Sequence, residues 1–311
     1  MRLKWKDMTV KRKGRARAGV IAWLLAASLA LAGCGRDAGG GRARGMIMPS
    51  ADGEETLTAQ DLVIDISHLD LGYMMVCYTG EASRLFVQLV GPDGEEYKYF
   101  LDPSPDYVTL PLTAGDGEYY LCAYENVGGD QYSPILAQML QLQLSDEFAP
   151  FLCPNQYVDF TPDDQAVSLA KELTEETEDE LEQVGEIYHW VIRNISYDYE
   201  KAVDVSPGYL PDIEETLKIR TGICFDFAAL MTAMLRSLGI PTKLNIGYLT
   251  EDVYHAWISI YLEETGWIDQ IILFDGKDWR MMDPTVASSG GTGEVEELAS
   301  DDANYIVRYV R

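Results

Sequence analysis

One cysteine of this chain stands where a sequence can activate a thiol. Cys224 ends the run RTGIC, and a helical pattern that we predict to begin at Phe225 follows it directly. The unpaired backbone N–H groups and the positive dipole end of a helix N-terminus stabilise a thiolate, which is the nucleophilic form of cysteine. The sequence therefore predicts that Cys224 is a nucleophile.

A thiol nucleophile needs a base, and His255 is the one histidine after residue 224. It stands in YHAWISIY, at the opening of a predicted strand. A catalytic histidine in turn needs a carboxylate that holds its tautomer and supports its positive charge. Asp283, in the run WRMMDPT at the end of another predicted strand, is the candidate. Residue types in this order predict a Cys-His-Asp arrangement.

These motifs resemble the transglutaminase-like superfamily, whose papain-like α+β core presents a cysteine at a helix start and then histidine and aspartate on adjacent strands. The matching blocks are GICFDFAALMTAMLRSLGIPTKLNIGY, YHAWISIY and WRMMDPT, with IYHWVIRNISYDYEKA upstream of them. The resemblance covers residues 190–311 and extends more loosely to 165. It implies that Cys224 is the nucleophile, His255 the general base and acid, and Asp283 the orienting carboxylate.

The resemblance also implies the chemistry, with a peptide or protein amide as substrate and a thioester on the cysteine as intermediate. An amine acceptor would give an isopeptide crosslink, whereas water would give hydrolysis, as in a cysteine peptidase or amidase of wall peptides. A binding or assembly module with an unused triad is a further alternative. The oxyanion would be met by the Cys224 backbone N–H. For a second donor, Tyr197 and Tyr209 are candidates only.

The elements around these residues indicate an α+β fold. Helical spacing follows the cysteine, and strand patterns come after it at 243–248, 256–261, 267–274, 279–282 and 305–310. A helix followed by consecutive strands is typical of α+β architecture and not of a doubly wound sheet. Upstream, Thr161 and Thr177 each precede a helical pattern and are predicted to cap two further helices. We assign residues 156–311 to this domain.

Residues 56–155 show a different pattern, with short runs of alternating or β-branched residues between turn signals. The runs are LVIDI, YMMVCY, LFVQLV, YVTLPL, YYLCAY and LQLQL. Six short strands at close spacing predict a small all-β sandwich ahead of the α+β domain. Nothing in this module resembles a catalytic site.

The N-terminus predicts export. Eight Lys and Arg residues lie in the first 17 positions, before the apolar run GVIAWLLAASLALAG. A basic segment before a short apolar one is typical of a secretory signal peptide, here residues 1–33. The run LAGC resembles the lipobox of bacterial lipoproteins, which implies lipidation of Cys34, whereas in a plain secretory signal this cysteine would be incidental. Residues 34–55 are predicted to be a flexible tether, and the chain is predicted to be anchored to the outer face of the bacterial membrane.

The composition limits the partners further. The net charge of −27 over 311 residues disfavours nucleic acid, because phosphates would be repelled. No Cys/His metal spacing and no calcium-binding loop is seen, so no metal or other cofactor is predicted. With Cys34 assigned to lipid, Cys77, Cys122, Cys153 and Cys224 remain, and an oxidising compartment leaves open two disulfides, or one disulfide and two thiols.

Overall fold

Two antiparallel sheets packed face to face form the N-terminal module of the computed structural model. The structure describes residues 11–12, 44–206, 208–249, 253–269, 272–274, 279–281 and 305–311. The strands of the module are β1 (Lys11–Arg12), β2 (Glu55–Ala59), β3 (Leu62–Asp65), β4 (Tyr73–Tyr78), β5 (Leu85–Val90), β6 (Glu96–Leu101), β7 (Ser104–Pro111), β8 (Gly117–Gly128) and β9 (Gln131–Leu142). One sheet has the order β1-β2-β3-β4-β7 and the other β6-β5-β8-β9.

Alternation of side chains builds this sandwich. In β5, Leu85, Val87 and Leu89 are buried, while the residues between them are partly exposed. A strand points successive side chains to opposite faces, so an alternating run buries one face against the facing sheet. The buried faces of both sheets share one core cluster. The predicted β module ahead of an α+β domain is confirmed. Each of the six predicted runs overlaps a strand, and LVIDI, YVTLPL and LQLQL extend one or two residues beyond the strand end.

The second half of the chain begins with helices. These are α1 (Gln165–Leu173), α2 (Glu180–Asn194), α3 (Tyr199–Val203), α4 (Ile213–Ile219) and α5 (Cys224–Ser237). Two short strands, β10 (Ser196–Tyr197) and β11 (Thr221–Gly222), pair in parallel between them. In α5, every residue from Asp226 to Arg236 is buried, because α1, α2 and α4 pack around this helix.

Two of the predicted helix caps are wrong. The N-cap of α1 is Asp164 and not Thr161. The Asp164 carboxylate does not cap the helix, because it accepts from the backbone N–H and the hydroxyl of Thr161. The first N–H groups of α1 donate instead to the carboxylate of Glu214 in α4. The N-cap of α2 is Asp179 and not Thr177, since Asp179 accepts from the backbone N–H at the third helical position.

A mixed-order antiparallel sheet follows α5. Its strands are β12 (Thr242–Leu249), β13 (Val253–Leu262), β14 (Gly266–Asp269) and β17 (Tyr305–Val310), in the order β14-β13-β12-β17. A separate hairpin pairs β15 (Ile272–Phe274) with β16 (Trp279–Met281). Helix α5 packs against β12 and β13 and shares with them one core cluster. The predicted order of one helix and then strands is confirmed.

The two modules meet around the last residue of the chain. The Arg311 guanidinium lies 4.6–5.1 Å from the ring centroids of four tyrosines and donates to the hydroxyl of Tyr99 at 3.1 Å. The hydroxyl of Thr113 donates to the Val310 carbonyl at 2.7 Å. Tyr157 and Tyr309 contact both core clusters. The boundaries 56–155 and 156–311 as independent folding units stay a prediction.

Residues from Arg44 onward lie against the folded chain. The Arg44 guanidinium pairs with Glu263 at 2.6 Å and lies 4.3 Å from the Phe148 ring centroid. The Ile47 N–H donates to the Leu152 carbonyl. The predicted tether 34–55 therefore contains a stretch with tertiary contacts, while the signal peptide 1–33 and Cys34 lie outside the part that the structure describes, apart from the backbone of β1.

Candidate functional site

The predicted nucleophile is the first residue of α5. Ile223 is the N-cap, and the Cys224 side chain is partly exposed at the edge of the core. The chain reaches this point through β11, which pairs with β10, and the Asp198 N–H donates to the Gly222 carbonyl at 2.8 Å. A residue at the first helical position faces N–H groups that have no intrahelical acceptor. The helix thus begins one residue earlier than predicted, at Cys224 and not at Phe225, and Cys224 is its first residue.

A buried carboxylate holds the start of α5. Asp226 is fully buried, and its Oδ2 accepts from the backbone N–H of Ile223 at 2.8 Å. The same oxygen accepts from Lys201 Nζ at 2.7 Å, and the other accepts from the hydroxyl of Tyr209. Lys201 Nζ also donates to the Tyr209 oxygen at 2.6 Å. Three groups from separate segments therefore converge on one side chain beneath Cys224.

Tyr209 is committed to this cluster. Burial and its hydrogen bond to Asp226 both raise the pKa of the Tyr209 hydroxyl, so it stays protonated and donates at any ordinary pH. Tyr209, one of the two candidates for the second oxyanion donor, therefore already donates its hydroxyl hydrogen to a carboxylate. Tyr197, the other candidate, lies in β10 with its ring 5.0 Å from that of Tyr199.

Gly222 leaves no space for a side chain. A Cβ at this position would lie 2.7 Å from the Cβ and 3.0 Å from the Oδ2 of Asp226. A contact under 3 Å forces one of the two groups to move. Here the Asp226 Cβ is attached to the backbone of α5, and Gly222 is held by the pairing of β11 with β10. The glycine in RTGIC is therefore required by the close approach of the capping carboxylate.

His255 is buried near the beginning of β13, opposite Gly247 of β12. Its ring lies 6.1 Å from that of Trp257, at an interplanar angle of 16°, and 6.3 Å from that of Tyr305. Strand alternation puts His255 and Trp257 on one face of β13 and Ala256 on the other, and Ala256 belongs to the core that contains α5. Pairing of the His255 ring with the Cys224 thiol stays a prediction.

Asp283 lies outside the described residues, and so does any contact of its carboxylate. The strand expected to lead to it is present as β16, which the structure describes over Trp279–Met281. Its role as the orienting carboxylate stays a prediction.

The remaining cysteines differ in access. Within the described part of the chain, Cys77, Cys122, Cys153 and Cys224 are free thiols. Burial raises the pKa of Cys153 to about 12. Cys77 is partly exposed in β4, and burial also raises its pKa. A reagent that needs an accessible thiol should therefore reach Cys77 and Cys224 more readily than the buried Cys153.

The described residues lack two other kinds of feature, a metal-binding cluster and a membrane-spanning helix. No group of three or more His, Cys, Asp or Glu side chains there could hold a metal ion. No helix among them is sufficiently long and apolar to span a bilayer.

Comparison with known proteins relates the second half of the chain to one family. Residues 167–270, which include Cys224 and His255, match the family model described as the transglutaminase-like superfamily. The UPF0252 protein MJ1282 of Methanocaldococcus jannaschii is 32% identical over 98 residues. That match spans 28% of this chain and only 28% of the relative's own length.

Two solved structures illustrate the fold likeness. The periplasmic domain of TgpA from Pseudomonas aeruginosa is 15% identical, with a TM-score of 0.36, over 78% of this chain and 76% of that one. Red sea bream transglutaminase is 15% identical, with a TM-score of 0.27, over 70% of this chain and 53% of that one. Similarity at this level is partial, and no role of any residue rests on it.

Proposed function

We propose that this chain, whose residues 167–270 form a transglutaminase-like superfamily domain, is a thiol enzyme acting on peptide or protein amide bonds. In the proposed reaction the thiol proton of Cys224 passes to His255 as the sulfur attacks the amide carbonyl. The C–N bond then breaks, and the leaving amine or ammonia takes the proton from His255. An amine or a water molecule next cleaves the thioester, and Asp283 orients the imidazole throughout.

The position of Cys224 carries this proposal. A partly exposed thiol at the first position of a buried helix, inside the region that matches the family, has the setting of an activated nucleophile. The N–H groups of the first helical turn are also suited to stabilise the oxyanion of the tetrahedral intermediate.

The decisive assay uses a glutamine-containing peptide with and without a fluorescent amine. Incorporation of the amine marks transfer, and cleavage or deamidation marks hydrolysis. Cys224→Ala should abolish either product, whereas Cys77→Ser, which changes a partly exposed thiol in the other module, should retain it. A parent protein that leaves every peptide unchanged would favour the binding-module alternative.

Alkylation tests the histidine separately. Iodoacetamide should modify Cys224 at pH 6, and His255→Ala should slow that reaction because an imidazolium partner is lost. Asp283→Asn should slow it as well, since the histidine tautomer is no longer held. Cys153, which is buried, serves as the internal reference that stays unlabelled in the folded protein. Labelling of Cys224 that is indifferent to His255 would refute the pairing.

We further propose that the protein is exported and anchored through lipid on Cys34. The run LAGC at the end of the apolar segment supports this. Two acyl chains suffice for stable anchoring, whereas one is marginal. Cys34→Ser should abolish incorporation of labelled lipid and partitioning into detergent. If parent and variant partition alike, the anchor is not on this residue.

A further inference from the structure

The start of α5 carries a charge that opposes the proposed chemistry. Asp226 is fully buried on the first turn, two residues beyond Cys224. A buried carboxylate in the same helical turn as a thiol opposes formation of a thiolate, since like charges repel. A nucleophilic Cys224 therefore requires that this charge be offset.

Lys201 is placed to offset it. Its ammonium group lies 2.7 Å from Asp226 Oδ2. Lys201 belongs to α3, whereas Asp226 belongs to α5. Its side chain is 31% exposed, so the ion pair joins a buried carboxylate to a partly hydrated cation. The neighbouring Tyr209 donates to the same carboxylate and contributes no charge.

Other ionisable groups lie around this cluster. Asp198 is the N-cap of α3, and its carboxylate accepts from the backbone N–H of Lys201 at 2.9 Å. Asp212 precedes α4, and its carboxylate accepts from the N–H of Glu215 at the start of that helix. His255 comes from β13 and is the proposed partner of Cys224 itself. Lys201 is the described cation with an ion pair to Asp226.

We propose that Lys201 is a positioning residue for Cys224. It neutralises Asp226 and holds α3 against the start of α5, which leaves the helix N-terminus free to stabilise the thiolate. The inference rests on the proposed nucleophilic role of Cys224. An ion pair of purely structural value would change stability alone, whereas this role also changes the reactivity of the thiol.

The test measures the rate of iodoacetamide alkylation at Cys224 between pH 5 and 9 by site-resolved mass spectrometry, with a melting temperature for each variant. Lys201→Met should slow alkylation at pH 7 by about tenfold and move the pH–rate profile to higher pH, because a buried charge is left unpaired. Adding Asp226→Asn should restore the rate to within about threefold, since the charge is gone and the amide oxygen still accepts from Ile223.

Two controls separate charge from structure. Tyr209→Phe removes a hydrogen bond to Asp226 without changing any charge, so its pH–rate profile should match that of the parent. Lys218→Met removes an exposed ammonium group that pairs with Glu215 on α4, and it should alter neither rate nor profile.

The proposal is overturned if Lys201→Met lowers only the melting temperature, or if Asp226→Asn fails to restore alkylation in the double variant. Alkylation needs no substrate, so failure of the role proposed for Lys201 can be distinguished from failure of the proposed enzyme function. A parent that is alkylated at pH 6 but converts no peptide would contradict the enzyme and leave the role of Lys201 standing.

Discussion

Replacing Arg236 by methionine should destabilise the whole C-terminal module. Arg236 lies near the end of α5 and is fully buried, yet its described partners are all backbone carbonyls. Its guanidinium donates twice to Thr242 at 2.8 and 2.9 Å, once to Cys153 at 2.5 Å and once to Arg311 at 2.7 Å. It thereby joins α5 to the start of β12, to Cys153 near the end of the first module and to the last residue.

The magnitude follows from these bonds. Burial lowers the pKa of Arg236 to about 10, so the group still carries its charge at neutral pH. Hydrogen bonds from a charged donor contribute about 1.5–3 kcal/mol each, and burial of the charge offsets part of that gain. Methionine fills much of the volume but removes the guanidinium donor from three carbonyls, of which that of Arg311 still accepts from the Leu244 N–H at 3.0 Å. We expect a loss of about 3–5 kcal/mol in the free energy of unfolding and of about 10 °C in Tm.

Urea unfolding followed by tryptophan fluorescence and circular dichroism measures this loss. Arg236→Lys should lie between parent and Arg236→Met, because one ammonium group cannot span three carbonyls as the planar fork does. Arg193→Met, at an exposed position in the last turn of α2, is the matched control and should change the free energy by less than about 0.5 kcal/mol. If Arg236→Met costs no more than Arg193→Met, the carbonyl cluster does not stabilise the fold.

Three more predictions concern the start of α5 and the junction. Gly222→Ala should cost about 1–3 kcal/mol and slow the alkylation of Cys224, because the new Cβ would lie 2.7 Å from that of Asp226; an unchanged rate would contradict the close approach. Arg311→Ala should lower the unfolding free energy by about 2 kcal/mol, as judged by urea unfolding, since it removes the contacts with four tyrosine rings. Fragments 56–155 and 156–311, expressed apart, should each melt cooperatively; if neither does while the whole chain does, the modules share a core.

Much of the fold is predictable because its signals are local. The strand predicted over 305–310 is observed with the same bounds, since its pattern is contained in six consecutive residues. The two misplaced helix caps show where such reasoning fails. The first N–H groups of α1 bond to Glu214, 48 residues from Ala166, and no pattern near residue 164 contains that partner. A local motif was predicted where a distant carboxylate does the capping.

The residues of the candidate site also differ in whether a local sequence pattern identifies them. Cys224 could be identified because a helix start is a local pattern, and Asp226 could be assigned as a charge in the first turn for the same reason. Lys201 could not be identified, because a lysine on a short polar helix is usually solvated and only the path of the chain brings it to Asp226. One local pattern does point to this cluster. The glycine before the N-cap leaves no space for a Cβ beside the aspartate at the third helical position, which caps the helix. That pattern predicts a buried carboxylate beneath the thiol, and a buried carboxylate requires a cation or several donors. Among the described lysines that precede the cysteine, Lys201 is the one that the fold brings into contact with the Asp226 carboxylate.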